Sequence, residues 1–209
     1  MRIVIDLQGA QTSGSRNRGI GRYTTSLTEA ILRNRNGHDV HLALNGSFPA
    51  SVSEIRQRFS ALIPQNNIHV WQQLPSVAHN VAGSSARRIA SENLREYFIR
   101  DLHPDVIHIS SLFEGLADDG LCSIGKLYSD IPTSVTAYDL IPLINRREYL
   151  TDLSVTGWYM DRIDHLRRAD AFLAISDSAR EEVIKYVGAP ADACVNVGTA
   201  ADPHFSKAR

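Results

Sequence analysis

Arg18-Gly19-Ile20-Gly21-Arg22-Tyr23 sets two glycines and two arginines where a polar loop turns into an amphipathic segment. Glycine lets backbone N–H groups come close to a ligand, and the first turn of a helix favours an anion. The chemistry offered there is phosphate binding, with Arg16 adding charge. On spacing alone the same residues read equally as solvated arginines on a surface loop. A dinucleotide-binding fingerprint fits poorly, because Thr24 stands where the third glycine of G-x-G-x-x-G belongs. Asn45 also follows Leu44 where that fingerprint places an acid, and no G-x-x-x-x-G-K-[ST] loop occurs.

Other polar residues stand just beyond short apolar runs. His108 begins His108-Ile109-Ser110-Ser111-Leu112-Phe113-Glu114-Gly115. A histidine at a strand end can hydrogen-bond a hydroxyl or titrate near neutrality, although a lone one is more often structural. Glu114, before a glycine, could accept hydrogen bonds from a sugar. Asp118 and Asp119 read better as a solvated helix start than as a metal site, since no other ligand accompanies them. Asp139 follows Thr136-Ala137-Tyr138 in an apolar setting, where a carboxylate is costly unless partnered. That makes it the strongest single polar candidate, against a turn or capping aspartate. Ser176 and Ser178 are explained by helix capping. His165, Arg167, Arg168 and His204 have no organised surroundings, and no Gly-x-Ser-x-Gly or His-Glu-x-x-His motif occurs.

The elements that must carry these residues alternate. Apolar runs at 2–7, 40–44, 68–71, 105–109, 132–137, 171–175 and 193–197 read as strands. Between them, Ile20, Tyr23, Leu27, Ala30 and Ile31 mark one face of a helix that stops at Asn36-Gly37. Val52, Ile55, Phe59 and Leu62 mark a second helix, and Ile89, Leu94, Phe98 and Leu102 a third. Residues 152–168 and 179–187 complete the set, the last ending at Gly188. This pattern predicts an α/β fold, a Rossmann-like parallel sheet with helices on both faces. Ligands bind such sheets outside the carboxyl ends of the strands, which is where the candidates cluster. Residues 1–209 read as one domain without an internal linker.

Composition narrows the classes. The chain has 209 residues, 43% hydrophobic, with a net charge of -1, which suits a globular domain and argues against a nucleic-acid partner. No run approaches the length of a membrane span, and the start lacks the apolar stretch of a signal peptide. Cys122 and Cys194 lie far apart and read as reduced thiols, so the expected location is cytoplasmic.

Taken in order, the motifs Asp6-Leu7-Gln8-Gly9-Ala10-Gln11, Arg18 to Tyr23, His108 to Gly115, Asp139-Leu140-Ile141-Pro142-Leu143 and Ala174-Ile175-Ser176-Asp177-Ser178 resemble the N-terminal domain of glycosyltransferase family 4. Val195-Asn196-Val197-Gly198 with Asp202 and Phe205 is similar to the passage leaving that domain. The resemblance, strongest to mannosyl- and rhamnosyltransferases of bacterial polysaccharide synthesis, implies the acceptor-side half of a retaining GT-B enzyme. It implies a hexose moved from a GDP- or dTDP-sugar to a glycan acceptor, with no cofactor and no metal. The partner would be a C-terminal donor domain absent from this chain, so the fragment alone is expected to be inactive. Gly19, Ile20, Gly21 and Arg22 would reach the donor diphosphate. Asp139 and His108 are the catalytic candidates, and Glu114, Ser110 and Tyr138 the acceptor-binding ones. Tyr138 and Ser110 stand where many relatives carry histidine. The departing phosphate can itself take the acceptor's proton in this family, leaving positioning and charge stabilisation to the protein. A stand-alone binding module of the same fold is the alternative, and peripheral association with the inner membrane face stays open.

Overall fold

The computed structural model describes residues 1–200; Asp202, His204 and Phe205 lie outside the described residues. Seven parallel strands form one sheet in the order β3-β2-β1-β4-β5-β6-β7. They are β1 (Arg2–Asp6), β2 (Asp39–Asn45), β3 (Ile68–Trp71), β4 (Val106–Ile109), β5 (Thr133–Ala137), β6 (Ala171–Ala174) and β7 (Cys194–Asn196). Ile5 pairs with Leu42 on one side and His108 on the other, which fixes the central register. Strand order reverses between β1 and β4. The loops leaving those two strands therefore diverge and open a crevice at the sheet's carboxyl edge.

Helices cover both faces. α1 (Gly19–Arg33) and α2 (Pro49–Phe59) lie on the side of Ile5, Leu42 and Leu44, where Leu32, Ile55 and Phe59 join the core. α3 (Ser85–Asp101) packs Ile99 against Val4 and Ala43 on the other side. Two single-turn helices, α4 (Ile141–Ile144) and α5 (Arg146–Tyr149), follow β5. α6 (Leu153–Leu166) is capped by Asp152, which accepts from Val155 N at 2.9 Å, and buries Ile163 and Leu166 in the second core. α7 (Asp177–Glu182) is capped by Ser176 and runs into a π-helical turn that stops at Gly188, whose φ is +84°. No helix among the described residues is long and apolar enough to cross a membrane.

Two helices turn a different face inward from the one expected. The buried stripe of α1 is Gly21, Thr24, Thr28 and Leu32, and Ala30 is exposed. Thr24 there lies against Gly9, where an added Cβ would collide with it, so α1 packs closely on residues 8–10; Leu27 and Ile31 are half-buried beside that stripe. In α3 the buried residues are Ser91, Glu92, Arg95, Glu96 and Ile99, while Ile89 and Leu94 are each 47% exposed. That helix directs hydrogen-bonding groups inward because residues 110–132, which form no helix or strand, lie against it.

Candidate active site at the strand-order switch

The crevice between β1 and β4 is walled by residues 7–18 and 110–132, and their backbones need partners wherever they are buried. Gln8, fully buried, donates to the carbonyl of Leu121 and accepts from its N–H at 2.6 Å. Gln11 does the same for Asn45, accepting from its N–H at 2.8 Å and donating to its carbonyl at 3.1 Å. The Asn45 side chain donates in turn to Gln8, Gln73 and the carbonyl of Asp119. Asn45 thus sits where a ribose-binding acid would in a dinucleotide site, and its groups are already committed to the loops.

Glu114 ties the two walls together. It is 4% exposed, and its carboxylate accepts from the hydroxyls of Thr12, Ser15 and Ser111, each at 2.6 Å. Burial pushes its pKa up, and the three hydroxyls pull against that shift. It is an anchor within the protein, and not the sugar-facing acid that the sequence suggested. Its hold on Ser15 matters one step further, since the Ser15 carbonyl accepts from Arg18 N at 2.9 Å and Gly21 N at 3.0 Å. The loop thereby folds back under the first turn of α1. A side chain at Gly21 would collide with the Arg16 backbone, so glycine there permits the packing. Gly19 differs: a Cβ built on it meets nothing within 4 Å. Arg18, the residue before the helix, supplies no side-chain cap. The N–H groups of Gly19 and Ile20 consequently have no partner among the described residues, and Arg22 is exposed beside them without an ion pair. This is a positive, donor-rich rim of the kind that receives an anion.

The residues after β5 reach the same rim. The Tyr138 hydroxyl donates to Ser110 O at 3.2 Å and lies 3.5 Å from the Thr24 hydroxyl, with its ring edge-on to Tyr23 at 5.9 Å. Burial raises its pKa, so it stays a neutral phenol. Asp139, next in sequence, is exposed and accepts from Ile141 N at 3.2 Å. It forms an exposed turn just before α4, and the burial cost argued from its apolar neighbours does not arise. Its Oδ2 has no partner among the described residues. Ser110 is 2% exposed, and its hydroxyl is buried without a hydrogen bond among the described residues.

His108 does not share the crevice. It is 5% exposed within the sheet, and both ring nitrogens are spent on β5, Nδ1 with Ser134 Oγ at 2.9 Å and Nε2 with Thr136 Oγ1 at 3.1 Å. The Ser134 hydroxyl donates to Ile107 O, so Nδ1 carries the proton and Nε2 accepts from Thr136. Burial lowers its pKa to about 4. A neutral, fully bonded imidazole beneath the surface stitches β4 to β5; it is the core histidine of the plainer reading, and it cannot serve as a base at the rim. Asp118 and Asp119 start no helix. Asp118 accepts from Ser13 and Gly120, and Asp119 from the N–H groups of Ser76, Val77 and Ala78.

A second group of polar residues escaped sequence reading because it looks like ordinary helix surface. Asp6 and Arg95 form an ion pair with side chains 0% and 1% exposed, and Arg95 also donates to Ser123 O at 3.0 Å. Arg162 donates to the carbonyl of Cys122 and pairs with Glu92 at 3.1 Å. Leu121, Cys122 and Ser123 thus have consecutive carbonyls each satisfied by a buried side chain. Glu92, Asp161 and His165 bring ligand atoms within 4.8 Å of one another. Arg162 bridges Glu92 and Asp161, and Lys126 also holds Glu92, so cationic side chains already stand where a metal ion would. The one sequence signal was the spacing of Glu92, Arg95 and Glu96, which puts three charges on one helix face.

Known proteins resemble this chain in sequence and in fold. The family described as Glycosyltransferase Family 4 matches residues 17–204. Three curated Escherichia coli proteins, each called serotype-specific mannosyltransferase WbdA, are similar. One is 32% identical over 207 residues, 99% of this chain and 24% of its own length. The others are 29% and 30% identical over 86% of this chain and 22% of theirs. The chain thus spans about a quarter of these relatives. Among solved structures, a Listeria monocytogenes protein described as a UDP-N-acetylglucosamine 2-epimerase superposes with a TM-score of 0.57 at 11% identity, over 92% of this chain and 44% of that one. The Anabaena protein HepE, solved with UDP and glucose, gives 0.51 at 14% identity, over 97% and 45%. At these identities the structures speak for the fold.

Proposed function

This chain belongs to glycosyltransferase family 4, and from that premise we propose that it is the acceptor-side half of a retaining hexosyltransferase, with mannose as the sugar moved onto a growing glycan. One observation carries the reading. At the switch point of the sheet, where the buried side chains of Gln8, Gln11, Asn45 and Glu114 are all hydrogen-bonded, the N–H groups of Gly19 and Ile20 and the Arg22 guanidinium have no partner among the described residues. Charge that develops on a departing diphosphate is what such a rim would stabilise, because preorganised donors need no rearrangement as the bond breaks.

In this proposal the anomeric C–O bond to the diphosphate breaks as an acceptor hydroxyl approaches on the same face. The departing phosphate oxygen takes the hydroxyl's proton, and the new glycosidic bond keeps the original configuration. Asp139 Oδ2 would orient a sugar hydroxyl, with Tyr138, its neighbour in sequence, packing against α1. Glu114 acts earlier in the chain of causes, by holding Ser15 and so the first turn of α1. His108 keeps β4 and β5 in register. The donor's nucleoside and sugar would be held by a second domain, as the sequence resemblance implies, and the protein would work at the cytoplasmic face of the inner membrane.

The test is transfer by the protein at its full natural length. GDP-mannose, dTDP-rhamnose and UDP-glucose are offered with a mannoside acceptor, and the product's anomeric configuration is read by NMR. Mannose transfer with retained configuration is expected. Inversion, or transfer from none of the three donors, overturns the reading.

A further inference from the structure

Resting on that reading, we propose that the groove between α1 and α2 is a second acceptor subsite, which holds the sugar units lying behind the reacting one. The cavity there has a volume of about 440 Å³. Small-molecule sites occupy roughly 300–1,000 Å³. Gly21 and Arg22 line it at the start of α1, so the groove adjoins the rim and a glycan chain reaching the rim would extend into it.

The lining suits a hydroxyl-rich ligand better than an anion. Two of its three arginines are already neutralised: Arg16 pairs with Glu54, and Arg58 with Glu29 at 3.2 Å. Only Arg22 lacks an ion-pair partner among the described residues. Around it, Asn17, Ser26 and Gln57 have side chains without hydrogen bonds among the described residues, so the groove offers both donors and acceptors. Arg22 and Ser26 are four residues apart on α1, and Glu54 and Arg58 four apart on α2, so each pair shares a helix face toward the groove. Ala10 and Ile55, both buried, form an apolar floor. A pyranose presents hydroxyls around its edge and C–H groups on its face, which this floor and rim complement.

The experiment uses mannose oligosaccharides of one to four units with the full natural protein, its Ser26→Trp variant, which fills the groove, and its Gln57→Ala variant, which only removes an amide. Saturation-transfer NMR reads binding directly, and initial rates read transfer. Expected is a loss of at least threefold in the tetrasaccharide signal in Ser26→Trp, and a smaller loss in Gln57→Ala. The acceptor KM for the tetrasaccharide should rise about tenfold while the monosaccharide and sugar-nucleotide KM values stay within twofold. A tetrasaccharide signal and KM equal to the parent's in both variants overturn the subsite and leave the transferase reading standing. Binding that weakens as expected in a protein that transfers no sugar supports the groove and overturns the transferase reading. A Ser26→Trp protein with a lowered unfolding midpoint is set aside for Gln57→Ala, whose unchanged tetrasaccharide binding overturns the subsite.

Discussion

Beneath residues 110–132, Asp6, Arg95, Glu92 and Arg162 have side chains no more than 2% exposed, and their charges are matched by one another and by backbone carbonyls. A short distance along the same sheet edge, Gly19 faces open space, and Arg22 and Asp139 are exposed with bonding capacity unused among the described residues. Both regions are polar and both lie at the carboxyl ends of strands. The first is closed: each charge has an opposite charge beside it, and of the buried polar atoms in these four side chains only Arg162 Nε lacks a hydrogen bond among the described residues. The second is open. Buried charge is tolerated only when paired, so the closed region is scaffold. Unused donors at a helix start are tolerated only where solvent or a ligand reaches them, so the open region is the place for substrate. Polarity at a strand end does not separate the two cases; the presence of partners does.

The contrast breaks most visibly if the closed region is opened. Asp6→Ala would leave Arg95 charged and unpaired in the interior, at a cost of about 3–5 kcal/mol. Urea denaturation should show that loss, with activity falling only as the folded population falls. A cost below about 1 kcal/mol would mean that water reaches Arg95 and that the region is not closed.

Acid probes the same interior through His108. Its pKa is lowered to about 4 in the folded protein, against about 6.5 when unfolded. Between those values the unfolded chain binds a proton that the native state refuses. Stability from this residue is therefore intact above about pH 6.5 and declines as pH falls, by about 3 kcal/mol on reaching pH 4. Unfolding curves at pH 7 and pH 4.5 should show a smaller acid loss in His108→Gln than in the parent. An equal loss would place the acid sensitivity elsewhere.

The two glycines of the rim sharpen the comparison within a single helical turn. Gly21→Ala should cost about 1–3 kcal/mol, because the added methyl meets the Arg16 backbone. Gly19→Ala should be neutral or stabilising by up to about 1 kcal/mol, since alanine is the better helix former and the space is open. Thermal unfolding of the pair checks this, and equal costs would remove the distinction. Smallest of all, Arg22→Ala and Asp139→Ala should each change stability by no more than about 0.5 kcal/mol. A larger loss in either would assign it to the scaffold.

Much of the fold was legible from the chain. Short, largely apolar runs separated by helical patterns marked all seven strands and the principal helices, because strands buried on both faces are rich in apolar residues even where, as in β5 (Thr133–Ala137), hydroxyl side chains are interspersed. α4 and α5 escaped, being single turns around Pro142 too short for a periodic signal. The inward faces of α1 and α3 were also misjudged. Periodicity finds where apolar residues gather, whereas α1 packs through Gly21, Thr24 and Thr28, and α3 buries charges to satisfy a long loop. The site was half legible. Tyr138 meets α1 through Thr24 and Tyr23, whereas Asp139 turns toward the start of α4. His108 and Glu114 were drawn from the same strand-end rule, yet their hydroxyl partners, Ser134 and Thr136 for one and Thr12, Ser15 and Ser111 for the other, come mostly from distant parts of the sequence.

The measurement that bears most directly on the open rim is the sugar-nucleotide KM of the full natural protein carrying Gly19→Val together with Arg22→Ala. Gly19 faces open space and the Arg22 side chain has no polar partner among the described residues, so the unfolding midpoint should stay where it is while the KM rises at least tenfold. A parental KM would contradict an anion-binding role for the start of α1, and with it the proposed place of the donor diphosphate.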